Sequence, residues 1–166
     1  MNITYVVKKG TGTIERKTWF ATWNISKIFK FRTKIMGWER SQPVAGFATL
    51  FGKRYGINGS HIIEIQWFRQ PNNKFEFSAN VKLRNNSMNK ILGSFVERDE
   101  LEFSIEDWDT HFIVRAKNII SGVEYSQTFD KDGENTWWWT GGTVVEPKWL
   151  SNEKPLSDFN IIIQTI

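Results

Sequence analysis

Two groups of residues in this chain have the types and spacing to do chemistry. The first is an alternating set, Glu64, Gln66, Glu76, Ser78 and Asn80. The second is the run Trp137-Trp138-Trp139-Thr140-Gly141-Gly142. Carboxylates, amides and hydroxyls spaced two apart share one face of a strand, where they present acceptors and donors together. A pair of carboxyls about 5–10 Å apart is what acid–base cleavage of a glycosidic bond requires, so Glu64 and Glu76 are the candidate catalytic acids. In a strand Trp137 and Trp139 point one way and Trp138 the other, so one core cannot take all three. One reading puts two in the core and the third under a loop. The other makes an indole platform, because a pyranose has an apolar CH face that stacks on indole and hydroxyls that bond to flanking polar groups. Trp149 and the turn residue Trp108 join this list, and with Gln66 and Asn80 they form the expected ligand-binding set.

The elements that must position these groups are strands. Phe75, Phe77, Ala79, Val81 and Leu83 alternate with Lys74, Glu76, Ser78, Asn80 and Lys82. Leu101, Phe103 and Ile105 alternate with Glu100, Glu102, Ser104 and Glu106. Phe29, Phe31, Thr33 and Ile35 alternate with Ile28, Lys30, Arg32 and Lys34. This period marks half-buried strands, and no window longer than about 12 residues carries a helical stripe. Strands are expected at 3–8, 14–23, 27–35, 45–51, 61–68, 74–83, 91–96, 100–106, 111–117, 123–129, 136–145 and 158–165. Turn signals separate them, among them Lys9-Gly10, Asn58-Gly59, Pro71-Asn72-Asn73, Asn85-Asn86 and Asp132-Gly133.

Face parity then suggests pairings. With 69–73 as a loop, Phe68 opposes Lys74, Gln66 opposes Glu76, Glu64 opposes Ser78 and Ile62 opposes Asn80. Downstream, Glu100 is expected to meet Lys117, Glu102 to meet Arg115, Ser104 to meet Ile113 and Glu106 to meet His111. The next strand brings Glu124 to Arg115 and Tyr125 to Val114. Such a meander has one charged face, and an apolar face of Leu101, Phe103, Ile105, Phe112, Val114, Ala116, Val123 and Tyr125. The expected fold is all-β, a jelly-roll-like sandwich of two antiparallel sheets formed as one domain over 1–166, with a lipocalin-type barrel as the alternative.

Composition removes several classes. The 166 residues hold 22 Lys+Arg against 18 Asp+Glu, a formal charge of +4. The basic residues are scattered, which argues against a nucleic-acid partner. There is no Cys, so disulfides, thiol catalysis and Cys-ligated zinc are excluded. No apolar run is long enough for a transmembrane helix, and no signal peptide is visible at the N-terminus. A glycan-binding role would nonetheless place the chain outside the cell or on its surface. Asp130-Lys131-Asp132-Gly133-Glu134-Asn135 lacks the spacing of a calcium loop and reads as an Asp-Gly turn, so no metal or cofactor is expected. His61 has core parity, and His111 reads as half of a solvated pair. The chain is rich in aromatics, with 9 Trp, 13 Phe and 3 Tyr. Most of the Phe, with Trp67, fall at core parity.

One resemblance emerges from the C-terminal third. Gly141-Gly142, Pro147 and Asp158-Phe159-Asn160-Ile161 resemble the closing strands of concanavalin-A-like jelly rolls, where an aromatic-Gly-Gly-x-x-x-x-Pro segment leads through a short loop into a final Asp-aromatic/aliphatic-x-Ile strand. The hairpin 60–83 and Trp108 follow the order of that superfamily, so the likeness runs loosely over 60–165. It implies a sheet that cradles a polysaccharide, and hence a lectin-like carbohydrate-binding module or a polysaccharide-degrading enzyme. The connecting loop is longer here, and a His often seen before the Asp is missing. The glycosidase signature Glu-x-Asp-x-x-Glu is reduced to Glu64-Ile65-Gln66-Trp67-Phe68-Arg69, which disfavours a retaining glucanase. The expected partner is therefore a glycan. A membrane-active or purely structural sandwich is the remaining alternative.

Overall fold

The computed structural model describes residues 2–11, 14–15, 22–23, 28–36, 46–55, 61–70, 74–83, 86–133, 142–144, 148–149 and 153–166. The strands are β1 Asn2–Val7, β2 Ile14–Glu15, β3 Thr22–Trp23, β4 Ile28–Met36, β5 Gly46–Tyr55, β6 His61–Arg69 and β7 Lys74–Lys82. They continue as β8 Ser87–Val96, β9 Glu100–Asp107, β10 His111–Asn118, β11 Glu124–Asp130, β12 Gly142–Val144, β13 Lys148–Trp149 and β14 Phe159–Thr165. One antiparallel sheet runs β11-β10-β9-β4-β14-β1-β2. The other runs β3-β12-β5-β6-β7-β8, with β13 also on β5. The fold is all-β, a jelly-roll-like sandwich of two antiparallel sheets. We call the two layers the meander sheet, which holds β9–β11, and the hairpin sheet, which holds β6–β7.

The period-two pattern sorts residues as expected. Phe31, Phe103, Phe112, Phe129, Ile161 and Ile163 are buried on the inner side of the meander sheet, and Ile63, Ile65, Trp67, Phe75 and Phe77 on that of the hairpin sheet. The rings of Phe77 and Phe103 meet at 5.3 Å, joining the layers. Phe103 also stacks on Phe31 at 5.2 Å, and Trp67 meets Phe75 edge-on at 4.7 Å. Such pairs add about 0.5–1.5 kcal/mol each beyond their buried area.

The registers differ from expectation by two residues at every tested hairpin. Glu64 opposes Asn80, Gln66 opposes Ser78 and Phe68 opposes Glu76. Lys117 opposes Glu102, Arg115 opposes Ser104 and Ile113 opposes Glu106. Lys117 also opposes Glu124, and Ala116 opposes Tyr125. A two-residue slip leaves every side chain on its original face, so hydrophobic periodicity cannot detect it. Turn chemistry decides instead. The Asn118 side chain accepts the N–H of Ile120 at 3.0 Å and of Ser121 at 3.1 Å. Gly122, at φ +75°, then donates to Asn118 O, and Asn118 donates to Val123 O. This closed turn puts Val123 outside the strand and exposes it, so Val123 does not line the core. In the same way Gln70 N–H reaches Lys74 O and Trp108 N–H reaches His111 O, each tightening its hairpin.

The sheet edges β8 and β11 meet and protect each other. Lys90 Nζ donates to Thr128 O, and Gln127 Nε2 donates to Ile91 O at 3.0 Å. These bonds occupy carbonyls that an edge strand would otherwise offer to another chain. Gly93 permits the approach, since a Cβ there would lie 2.8 Å from the Tyr125 ring. Gly93→Ala is therefore expected to lower stability by about 1–3 kcal/mol. In urea unfolding, a Gly93→Ala/Tyr125→Ala double variant should show a cost well below the sum of the singles. Strict additivity would mean that the two residues do not crowd each other.

Candidate functional site

The outward face of the hairpin sheet carries the first constellation. Glu64 sits at the centre of β6 and is only 7% exposed. Its Oε1 accepts Gln66 Nε2 at 2.7 Å and Asn80 Nδ2 at 3.2 Å. Period two brings Gln66 to it along the strand, and the observed register brings Asn80 across from β7. On the other flank Gly52 of β5 stands opposite Glu64. A Cβ at Gly52 would lie 2.7 Å from Ile63 O and 3.0 Å from Glu64 Cβ, so only glycine fits this approach. Ser78, opposite Gln66, is 3% exposed, and its Oγ has no hydrogen-bond partner among the described residues. A buried hydroxyl without a partner costs about 1–3 kcal/mol, which a ligand or water can recover.

Glu76 shares this face but lies apart. It opposes Phe68 on β6 and stands four residues along β7 from Asn80. At about 3.3 Å per residue, that separates it from the Glu64 row by about 13 Å. Glycosidase carboxyl pairs lie within about 10 Å, so the geometry does not assemble Glu64 and Glu76 as acid and nucleophile.

The second constellation is on the opposite side of the molecule, at one end of the meander sheet's outer face. Trp108 follows β9 and is 37% exposed. Its Nε1 donates to Glu106 Oε2 at 3.1 Å, while Glu106 Oε1 accepts Arg115 Nε at 2.8 Å. Arg115 in turn reaches Ser126 Oγ at 3.5 Å. Below this row lies Lys131, 2% exposed. Its ammonium contacts Asp107 Oδ1 at 2.7 Å, bonds to the backbone carbonyl of Trp108 and sits 4.5 Å from the Phe112 ring centre. Sequence reading missed Lys131, because a lysine between two aspartates looks like an exposed turn residue. Glu106 and Arg115 showed only as members of a charged face, and their contact is diagonal rather than directly across.

Burial pushes the Glu106 carboxyl up, but hydrogen bonds from Arg115 and Trp108, with the charges of Arg115 and Lys30, hold it below its ordinary value. A carboxyl lowered in the fold contributes stability above its unfolded pKa and loses it as pH falls through the folded value. The Trp108–Glu106 bond should therefore persist through neutral and mildly acid pH and break only below the ordinary glutamate range. The Trp108 indole N–H resonance is expected to move in that window in the wild type, and to show no such step in Glu106→Gln. A step near pH 6 would contradict the assignment.

Trp137, Trp138 and Trp139 lie outside the described residues. Trp149 falls in β13, opposite Phe47 of β5, and its side chain is outside the described set. Gln66 and Asn80 are brought together on Glu64, whereas Trp108 is on the other sheet. The Asp132-Gly133 segment is a turn with both residues at positive φ, 49° and 76°. Among the described residues no group of three or more His, Asp and Glu could hold a metal ion, and no helix is long and apolar enough to cross a membrane. His111 does not oppose Glu106, and its Nδ1 lies 2.9 Å from Thr110 Oγ1. Asp158 of the resemblance motif accepts Lys9 N–H at 2.7 Å and Lys8 Nζ at 3.4 Å. These bonds tie the start of β14 to the turn after β1, and together they hold the Asp158 carboxyl low.

No family model matches the sequence, and no curated protein sequence matches it. Solved structures do match the fold. Alginate lyase Aly36B superposes with a TM-score of 0.61 at 8% identity, covering 99% of this chain and 78% of that one. The alginate lyase from Klebsiella pneumoniae gives 0.52 at 8% identity, over 82% of this chain and 56% of its own. The CBM2 module of the evolved Dit protein of Lactobacillus casei BL23 phage J-1 gives 0.50 at 15%, over 99% and 69%. This chain thus spans little more than half of the Klebsiella protein. At these identities the likeness is one of fold.

Proposed function

We propose that this chain is a carbohydrate-binding β-sandwich of the concanavalin-A-like kind, and that it holds a polysaccharide across the outward face of the hairpin sheet. The observation that carries the reading is the buried Glu64 carboxylate, oriented by the Gln66 and Asn80 amides beside the buried Ser78 hydroxyl. A buried carboxylate has to be hydrogen-bonded to offset its desolvation, and here two side-chain amides bond to it. Each amide spends one N–H on Glu64 and keeps a carbonyl oxygen and a second N–H. Together these groups offer alternating donors and acceptors, the pattern that adjacent sugar hydroxyls satisfy. The jelly-roll neighbours, two alginate lyases and a CBM2 module, fit a carbohydrate ligand. Binding is favoured over glycoside hydrolysis because Glu64 and Glu76 are too far apart for that chemistry. The Trp137–Trp139 run and Trp149 are proposed as stacking residues of the same ligand.

The test is a panel of neutral, amino-sugar and uronate polysaccharides in affinity electrophoresis, run beside an assay for released oligosaccharides. Retardation without products is the expected result. Product release lost in Glu64→Gln would instead make this a degrading enzyme on the same face. No retardation by any member of the panel would sink the reading.

A further inference from the structure

The Trp108 end of the meander sheet is built as a binding platform, and it faces away from Glu64. An exposed indole is ordinarily free to swing about its side-chain torsions. Here every polar handle of Trp108 is held. Its backbone N–H donates to His111 O at 3.0 Å, its carbonyl accepts the Lys131 ammonium, and its Nε1–H is fixed on Glu106. The Lys131 contact is the informative one. A lysine at 2% exposure has been withdrawn from water and paired with Asp107, and its second strong bond goes to the carbonyl of an exposed tryptophan. Turn closure alone needs no such group, since the His111 bond already closes the hairpin. What the lysine adds is rigidity in the residue that carries the indole.

We propose that this end of the meander sheet is a second, separate sugar-binding site, in which Trp108 stacks on the CH face of a pyranose while Glu106 and Arg115 bond its hydroxyls, with Lys131 as the positioning residue. The surroundings favour a sugar over a protein partner. Glu106, bonded to both the indole and Arg115, stands between Trp108 and the aliphatic side chains opposite it on this face, Ile28 and Ile113, so a charged pair interrupts the apolar surface beside the ring. A stable protein interface buries about 800 Å² per partner and centres on a larger apolar core. A pyranose needs one ring face, with a donor and an acceptor at its rim. The guanidinium and the carboxylate supply these, and both are already oriented by their mutual bond at 2.8 Å. A pre-held ring and rim lose little conformational entropy on binding, which is how a small, shallow site acquires useful affinity.

The test uses isotope-labelled full chain and three probes, the methyl pyranosides of glucose, galactose and mannose. The Trp108 indole N–H resonance, identified by its loss in Trp108→Phe, reports the platform. The Asn80 side-chain amide reports the other face, so the two proposals are read separately in one titration. At least one probe should shift the Trp108 indole and the His111 backbone amide saturably. Trp108→Ala should abolish the His111 response. Arg115→Met should weaken it about tenfold, the loss of one charge-assisted bond. Lys131→Arg, which keeps the charge but not the fit, should weaken the response less than Trp108→Ala while leaving the Asn80 signal unmoved. Absence of a saturable shift with all three probes would overturn the proposal. So would a His111 response that survives Trp108→Ala, or one that follows protein concentration instead of sugar and so marks self-association.

Discussion

Lys131→Met should destabilise the fold by about 3–5 kcal/mol. Methionine matches the lysine stem in volume, so packing against Phe112 is largely kept. What disappears is the charge that compensates Asp107, whose side chain is only 13% exposed, and the donor to the Trp108 carbonyl. A buried carboxylate that loses its cation keeps its desolvation cost and loses the attraction that offset it. The backbone bond from Lys131 N–H to Thr110 O is untouched, so the effect belongs to the ammonium. Urea unfolding midpoints measure it. Adding Asp107→Leu to Lys131→Met should recover part of the loss, because removing both charges also removes the burial penalty. A loss under about 1 kcal/mol would mean that the pair behaves like an exposed one.

Glu64→Gln should separate binding from stability. Affinity for the polysaccharide identified in the panel is expected to fall by about ten- to a hundredfold, the worth of one charge-assisted hydrogen bond to a sugar hydroxyl. The shape is conserved, and the Gln66 and Asn80 amides can each turn a carbonyl toward the new NH₂ group. The fold should therefore persist, with far-ultraviolet dichroism and cooperative unfolding retained. A folded variant with lost affinity is the signature of a residue kept for function at a cost to stability. The reverse outcome, unchanged affinity with a stability loss of about 2 kcal/mol or more, would make Glu64 a structural residue and remove the main support for a ligand on this face.

Both predictions rest on residues whose legibility in the sequence was unequal. Glu64, Gln66 and Asn80 stand out because period two puts them on one polar face, and the structure joins them. Which residue faces Glu64 was not legible. Parity allows Ser78 or Asn80, and only the turn beyond Arg69 selects Asn80. Trp108 was visible as an aromatic at a turn, but its partners were not. Its contact with Glu106 is local and follows from the strand, whereas the Lys131 contact spans two hairpins.

The sequence by itself determined the class of fold, the inner and outer faces of β4, β6, β7, β9 and β10, and the polar identity of the candidate surface. These follow from a period of two, which every residue reports independently of its partners. The tertiary structure alone decided the pairing register, because a slip of two residues conserves every face and only turn geometry breaks the tie. It alone buried Lys131, because the burial of a cation depends on a partner distant in sequence. It also separated residues expected to act together, placing Trp108 on one sheet and Gln66 with Asn80 on the other. Strand order across a sandwich is set by how the sheets pack, and no local pattern carries it.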